Sequence, residues 1–204
     1  MDVFGIGNEL SVEIRGMYLP SLKRYGEKVS KFEQLLKEFK REPGVLSTYL
    51  DELLSATRKY FNGRVTYFSG YWEWRFVDWS KFDVVSCNLF YNKESKPWYL
   101  KTLRALKSFH KPFVIGEFGY LTVKDSFEVG LSWADVEAGG YEYDEETQAR
   151  LLLENLKLLE EEKVDGGFIH TWDEVFDACF GIIKRDGSPK KAYEVVKEFW
   201  LRMG

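Results

Sequence analysis

The run Lys111-Pro112-Phe113-Val114-Ile115-Gly116-Glu117-Phe118-Gly119 constrains the fold most, because a short apolar stretch stops abruptly on a carboxylate set between glycines. A strand covered on both faces reads as continuous Phe, Val and Ile, and a glycine at its end suits a sharp exit or a close backbone approach. Glu117 is therefore expected at the carboxyl end of a buried strand. In parallel α/β folds that end is where ligands bind and catalytic groups are mounted.

A second carboxylate has a matching context at the start of the chain. Asp2-Val3-Phe4-Gly5-Ile6-Gly7-Asn8-Glu9 is again a short apolar strand, here running into Gly, Asn and Glu. Two acids at the tips of two buried strands suit glycosidic bond cleavage, in which one protonates the leaving oxygen and the other attacks or stabilises the oxocarbenium-like centre.

The rest of the chain alternates between the two periods. Leu10 to Lys28 has no steady period and contains Pro20, which predicts an irregular loop over the site mouth with room for a short helix. Phe32, Leu35, Leu36 and Phe39, then Leu46, Tyr49, Leu50, Leu53, Leu54 and Phe61, repeat at helical spacing on either side of Pro43-Gly44, predicting two helices. Arg64 to Phe68 reads as a strand after Asn62-Gly63, and a helix is expected from about Trp98 to Phe109 with Leu100, Leu103 and Leu106 inward. A long segment from Tyr120 to Tyr143 precedes a Leu-rich helix capped by Asp144-Glu145-Glu146 and reaching Lys163, and Ser188-Pro189 opens a last helix to about Trp200. Strand and helix in alternation predict a parallel sheet with crossover helices, in one domain over residues 1–204.

These residues resemble the (β/α)8-barrel glycoside hydrolases of clan A, which include the family 5 cellulases and mannanases and the β-galactosidases. The resemblance implies that Asn8-Glu9 matches the Asn-Glu pair ending strand four, with Glu9 the general acid/base and Asn8 contacting a sugar hydroxyl. Glu117 matches the nucleophile ending strand seven. Phe82 to Tyr91 looks like strand six, whose Tyr91 would hydrogen-bond the nucleophile, with Asn88 a weaker candidate there. Gly166-Gly167-Phe168-Ile169-His170-Thr171-Trp172-Asp173 looks like strand eight, whose Trp172 would stack on the sugar. The fold implied is a partial TIM barrel of about five parallel strands. A complete barrel takes about 250 residues, and strands one to three have no counterpart here. The expectations that follow are low turnover in the isolated chain and association, as a homodimer or with a complementing N-terminal half-barrel chain, because open sheet edges invite pairing.

Composition narrows the classes further. With 45% hydrophobic residues, including 16 Phe, 12 Tyr and 7 Trp, the 204 residues can bury a sizeable core. A net charge of -4 supplies no basic patch for nucleic acid. No apolar run long enough to span a bilayer and no leader are read, so the sequence as written predicts no membrane association and a cytoplasmic location. Cys87 and Cys179 lack metal-ligand spacing and read as reduced core residues, and His110 and His170 as structural histidines. No cofactor fingerprint and no metal site is expected, and the partner that the resemblance implies is an oligo- or polysaccharide. Two Gln and five Asn among many Glu and Lys suggest a thermophile.

Two aromatic groups have two readings each. Tyr71, Trp72, Glu73, Trp74 and Arg75 either make outer sugar subsites or lock their loop, and the same holds for Trp133, Tyr141 and Tyr143.

Overall fold

The computed structural model describes residues 3–13, 44–130, 140–174 and 179–203. The predicted helix around Phe32 to Phe39, most of the Leu10 to Lys28 loop, and Trp133 lie outside the described residues.

Five parallel strands, β1 (Val3–Asn8), β2 (Arg64–Gly70), β3 (Val85–Asn88), β4 (Phe113–Phe118) and β5 (Gly166–Ile169), form a sheet in the order β1-β2-β3-β4-β5. Helices α1 (Leu10–Glu13), α2 (Gly44–Arg58), α3 (Tyr99–Lys107), α4 (Ser126–Val129), α5 (Glu145–Glu161) and α6 (Lys191–Met203) are interspersed between and after them. The architecture is the partial α/β barrel that the resemblance implies, built on the parallel sheet that the alternating pattern predicts. It divides into two compact units, one of Met1–Asn88 with Leu106–Gly116 and one of Leu89–Ala105 with Glu117–Gly204.

In the first unit the strands stack in register by their apolar residues. Phe4 lies opposite Val65 and Gly5 opposite Thr66; Val85, Ser86 and Cys87 lie opposite Phe113, Val114 and Ile115. Val65, Tyr67, Val85, Cys87, Phe113 and Ile115 are all buried, as a strand covered on both faces requires. Burial holds the Cys87 thiol protonated by pushing its pKa up. Lys111 enters β4 with its ammonium donating to the carbonyls of Trp79 (2.8 Å), Ser80 (2.9 Å) and Phe82, which fixes where the strand starts. On α2, Leu46 and Leu50 are buried one turn apart.

β1 departs from the sequence reading. Val3 and Phe4 are 38% and 48% exposed, although their composition reads as a buried strand. The reason is topological: β1 ends the strand order, so one side of it has no neighbouring strand among the described residues. Phe4 packs on Phe61 with ring centroids 5.5 Å apart.

The second unit is organised by α5. Asp144 caps it, accepting from the Glu146 N–H (2.9 Å) and the Thr147 hydroxyl (2.7 Å), as the Asp-Glu-Glu sequence predicts. Ala149, Leu151, Leu152 and Leu159 are buried on its inner face, and Gln148 donates its amide to the Tyr120 and Phe180 carbonyls (2.9 Å each). Leu121, Val123 and Phe180 form a small core around which the loops after β4 and β5 fold. On α3 the inward stripe is Tyr99, Thr102, Leu103 and Leu106, with Leu100 only half-buried.

Candidate active site

Each expected acid stands at the carboxyl end of its own strand, Glu9 in the first unit and Glu117 in the second.

Glu9 follows the last residue of β1 in a left-handed conformation, φ 46°, which a side chain adopts only when its surroundings impose it. The surroundings here are explicit. The Glu9 N–H donates to the Phe68 carbonyl (2.9 Å), and the buried Asn88 side chain at the end of β3 donates through Nδ2 to both Asn8 Oδ1 and Glu9 Oε1 (2.9 Å each). Asn88, the weaker candidate from sequence, is thus the residue that joins Asn8 to Glu9. Its Oδ1 is buried and has no hydrogen-bond partner among the described residues. Gly116 is what admits it: a Cβ there would lie 2.3 Å from that oxygen and 2.7 Å from the Phe68 ring.

Behind Glu9 lies a buried polar group. The Leu10 N–H donates to the Tyr67 hydroxyl (2.8 Å), which itself donates to Glu73 Oε2 (2.7 Å). Glu73 also accepts from the Ser11 N–H (2.9 Å) and the Gly70 N–H (2.9 Å), and the Trp72 indole donates to the Ser11 hydroxyl (3.0 Å). Burial raises the Glu73 carboxyl above its ordinary range while its donors pull it down, and burial followed by the Glu73 charge keeps the Tyr67 hydroxyl protonated. Of the two readings of the Tyr71 to Arg75 run, Glu73 and Trp72 take the locking one. A single carboxylate inside an aromatic run was the signal for it.

In the second unit Glu117 is the penultimate residue of β4, its carbonyl accepting from the Leu89 N–H (3.0 Å). Its Oε2 lies 3.6 Å from His170 Nδ1, the two side chains being 30% and 33% exposed. That distance is long for a hydrogen bond, so the contact is electrostatic and needs a protonated imidazole. The His170 N–H donates to the Phe118 carbonyl (2.8 Å), and its ring packs edge-on against Phe90 and Phe180, with centroids 6.0 and 5.2 Å away. His170, read from sequence as a structural histidine, lies beside the carboxylate. A Cβ at Gly119 would meet the His170 carbonyl oxygen at 2.2 Å, so glycine there allows β4 and the start of the β5 loop to approach.

Trp172 is 62% exposed, with one edge of contact to Tyr193 at 6.1 Å. Its loop is pinned by Lys190, whose buried ammonium contacts Glu174 (2.6 Å) and Thr122 Oγ1 (2.7 Å). Burial lowers the Lys190 pKa and Glu174 opposes the shift. Tyr91 packs against Tyr99 (4.9 Å) and Phe127 (5.6 Å) and borders an open cleft of about 310 Å³ with Lys96, Lys124, Glu128, Arg150 and Glu154. Tyr141 and Tyr143 are exposed, and the Lys190 ammonium lies 5.6 Å from the Tyr143 ring. Among the described residues no His, Cys, Asp and Glu cluster could hold a metal ion, and no helix is long and apolar enough to cross a membrane.

Similarity to known proteins agrees with this fold. The sequence profile of Glycoside Hydrolase Family 113 matches residues 47–180. Among solved structures, a GH113 β-1,4-mannanase superposes with a TM-score of 0.60 at 20% identity, over 76% of this chain and 51% of that one. The GH113 β-mannanase from Alicyclobacillus acidocaldarius gives 0.59 at 16% identity, over 88% and 66%. A family 17 β-1,3-glucanosyltransferase from Rhizomucor miehei gives 0.51 at 15%, over 81% and 72%. The chain thus spans about half the length of the first mannanase. No curated protein sequence is significantly similar to it. These likenesses share the clan A barrel fold, and the matching profile is that of family 113 where the sequence reading named family 5. With more than half of its residues matched, the chain belongs to Glycoside Hydrolase Family 113.

Proposed function

We propose that this protein is a retaining glycoside hydrolase acting on β-linked sugars, with β-1,4-linked mannan the first substrate to try because it is similar in structure to a GH113 β-1,4-mannanase and a GH113 β-mannanase. The observation that carries the reading is the pair of strand-end carboxylates, Glu9 with Asn88 donating to it and Glu117 with His170 beside it. Glu117 attacks the anomeric carbon while the Glu9 carboxyl gives its proton to the departing oxygen, leaving a glycosyl ester on Glu117. Water then attacks that carbon, Glu9 takes the water's proton, and the sugar leaves with its configuration retained. Asn8 contacts a sugar hydroxyl, Trp172 offers an exposed face for stacking, and Tyr91 contributes from the cleft it borders.

The test is hydrolysis of manno-oligosaccharides and an aryl β-mannoside by the full chain, with product anomers followed by NMR. Retained anomers and a fluoro-sugar adduct on the peptide containing Glu117 are expected. Inverted product or an adduct elsewhere would sink the assignment.

A second reading is favoured by the outer strands, where Val3 and Phe4 on β1 and Phe168 on β5, 59% exposed, present apolar side chains to solvent. Under it the chain is a half-barrel that self-associates or takes up a complementing chain, with little turnover as a monomer. Light scattering across a dilution series separates the two. A monomer at every concentration with full turnover leaves only the first.

A further inference from the structure

Four successive residues around Glu9 are each held from outside their own segment. Asn8 accepts from Asn88, Glu9 donates to the Phe68 carbonyl, Leu10 donates to the Tyr67 hydroxyl, and Ser11 donates to Glu73 Oε1. The last two are the first N–H groups of α1, which have no intrahelical partners, so Tyr67 and Glu73 cap that helix from β2 and the loop behind it. Glu9 sits between the strand and this cap in a left-handed conformation that a residue with a side chain seldom adopts. A strained residue persists only where its neighbours over-determine it. Here the over-determination is supplied by one buried carboxylate and one buried phenol that touch no solvent.

We infer that Glu73 is a positioning residue: acting through Tyr67 and the Leu10 and Ser11 N–H groups, it fixes the left-handed turn that aims the Glu9 carboxyl, an inference that rests on the reading of Glu9 as the acid/base. Its two oxygens accept from three donors, Ser11, Gly70 and Tyr67. A glutamine has one acceptor oxygen and an amide that must itself donate, so it satisfies them only in part.

The experiment is amide deuterium exchange on the full chain, comparing wild type with Glu73→Gln and Tyr67→Phe. Exchange at Leu10 and Ser11 is expected to speed up on the order of tenfold or more in Glu73→Gln, since one of the two acceptor oxygens that hold Ser11 and Tyr67 becomes an amide that cannot accept, while Val85 and Ile115 in β3 and β4 keep their rates. Tyr67→Phe removes one hydroxyl, should speed Leu10 most, and serves where Glu73→Gln does not fold. Unchanged rates at Leu10 and Ser11, or a uniform rise across all strands, overturn the inference, the latter because it reports general destabilisation. Turnover of an aryl β-mannoside is expected to fall on the order of tenfold to a hundredfold in kcat with KM nearly constant. A raised KM at unchanged kcat also overturns it. Absence of turnover in the wild-type chain removes the glycosidase reading alone, because the exchange rates decide the clamp without it.

Discussion

The turn at Glu9 is held by side chains drawn from β2, β3 and the loop after β2, whereas Glu117 lies near the end of the apolar strand β4. Around Glu9 the anchors are hydrogen bonds of 2.7 to 2.9 Å among buried polar groups. Glu117 is carried by β4, where the next residue, Phe118, is buried, and His170 lies beside its carboxylate. Apolar burial is additive and tolerant, while a buried polar network fails when one member is removed, because the remaining donors are left unpaired. The two acids should therefore respond differently to change.

The largest difference is expected in the chemistry itself. Glu117→Gln should lower turnover on the order of 10³-fold or more with every leaving group, as removal of a nucleophile does. Glu9→Gln should do so with sugar leaving groups but far less with a dinitrophenyl leaving group, which departs without a proton. Equal losses for both variants on both substrates would erase the distinction between the two roles.

Next come the glycines on which each setting depends. Gly119→Ala places its Cβ against the backbone oxygen of His170 at 2.2 Å, and Gly116→Ala against the Asn88 and Phe68 side chains. Overpacking of this kind costs about 1–3 kcal/mol, and backbone yields less than side chains. Denaturant midpoints should therefore fall more for Gly119→Ala, whereas Gly116→Ala should disturb Asn88 and with it Glu9. A smaller midpoint shift for Gly119→Ala would contradict the close approach drawn there.

Trp172→Ala removes a mostly exposed ring, so stability should change by only about 0.5 kcal/mol. Affinity for manno-oligosaccharide should nevertheless weaken on the order of tenfold, the worth of one aromatic stacking contact. Calorimetric titration showing unchanged affinity would leave Trp172 as surface.

The smallest effect concerns the α5 cap. The Thr147 hydroxyl is the main cause holding the Asp144 carboxyl below its ordinary value of 3.8. A depressed folded pKa means that the cap's contribution is complete above about that value and is lost as pH falls through the lower folded one. The midpoint difference between wild type and Asp144→Ala should thus be constant near neutrality and shrink in acid. A difference that grows in acid would reverse the assignment.

The strand ends, the helices of the crossover pattern and the Asp144 cap were legible in the sequence because each depends on neighbours within a few positions. Phe113-Val114-Ile115 followed by Gly116-Glu117 suffices to mark a strand that ends on an acid. Asn8-Glu9 was legible for the same reason, and Asn88 only faintly.

Tertiary structure alone decided what surrounds those acids. Leu10 finds Tyr67 57 positions away, Ser11 finds Glu73 62 positions away, and Glu9 finds Asn88 79 positions away. No local period encodes such pairings, and a buried glutamate among aromatics reads equally as a subsite or a lock until its donors are seen. The exposure of Val3 and Phe4 is of the same kind. Their composition specifies a strand that can be buried, but whether a neighbour covers it depends on the place of β1 in the sheet order, which is a property of the assembled fold.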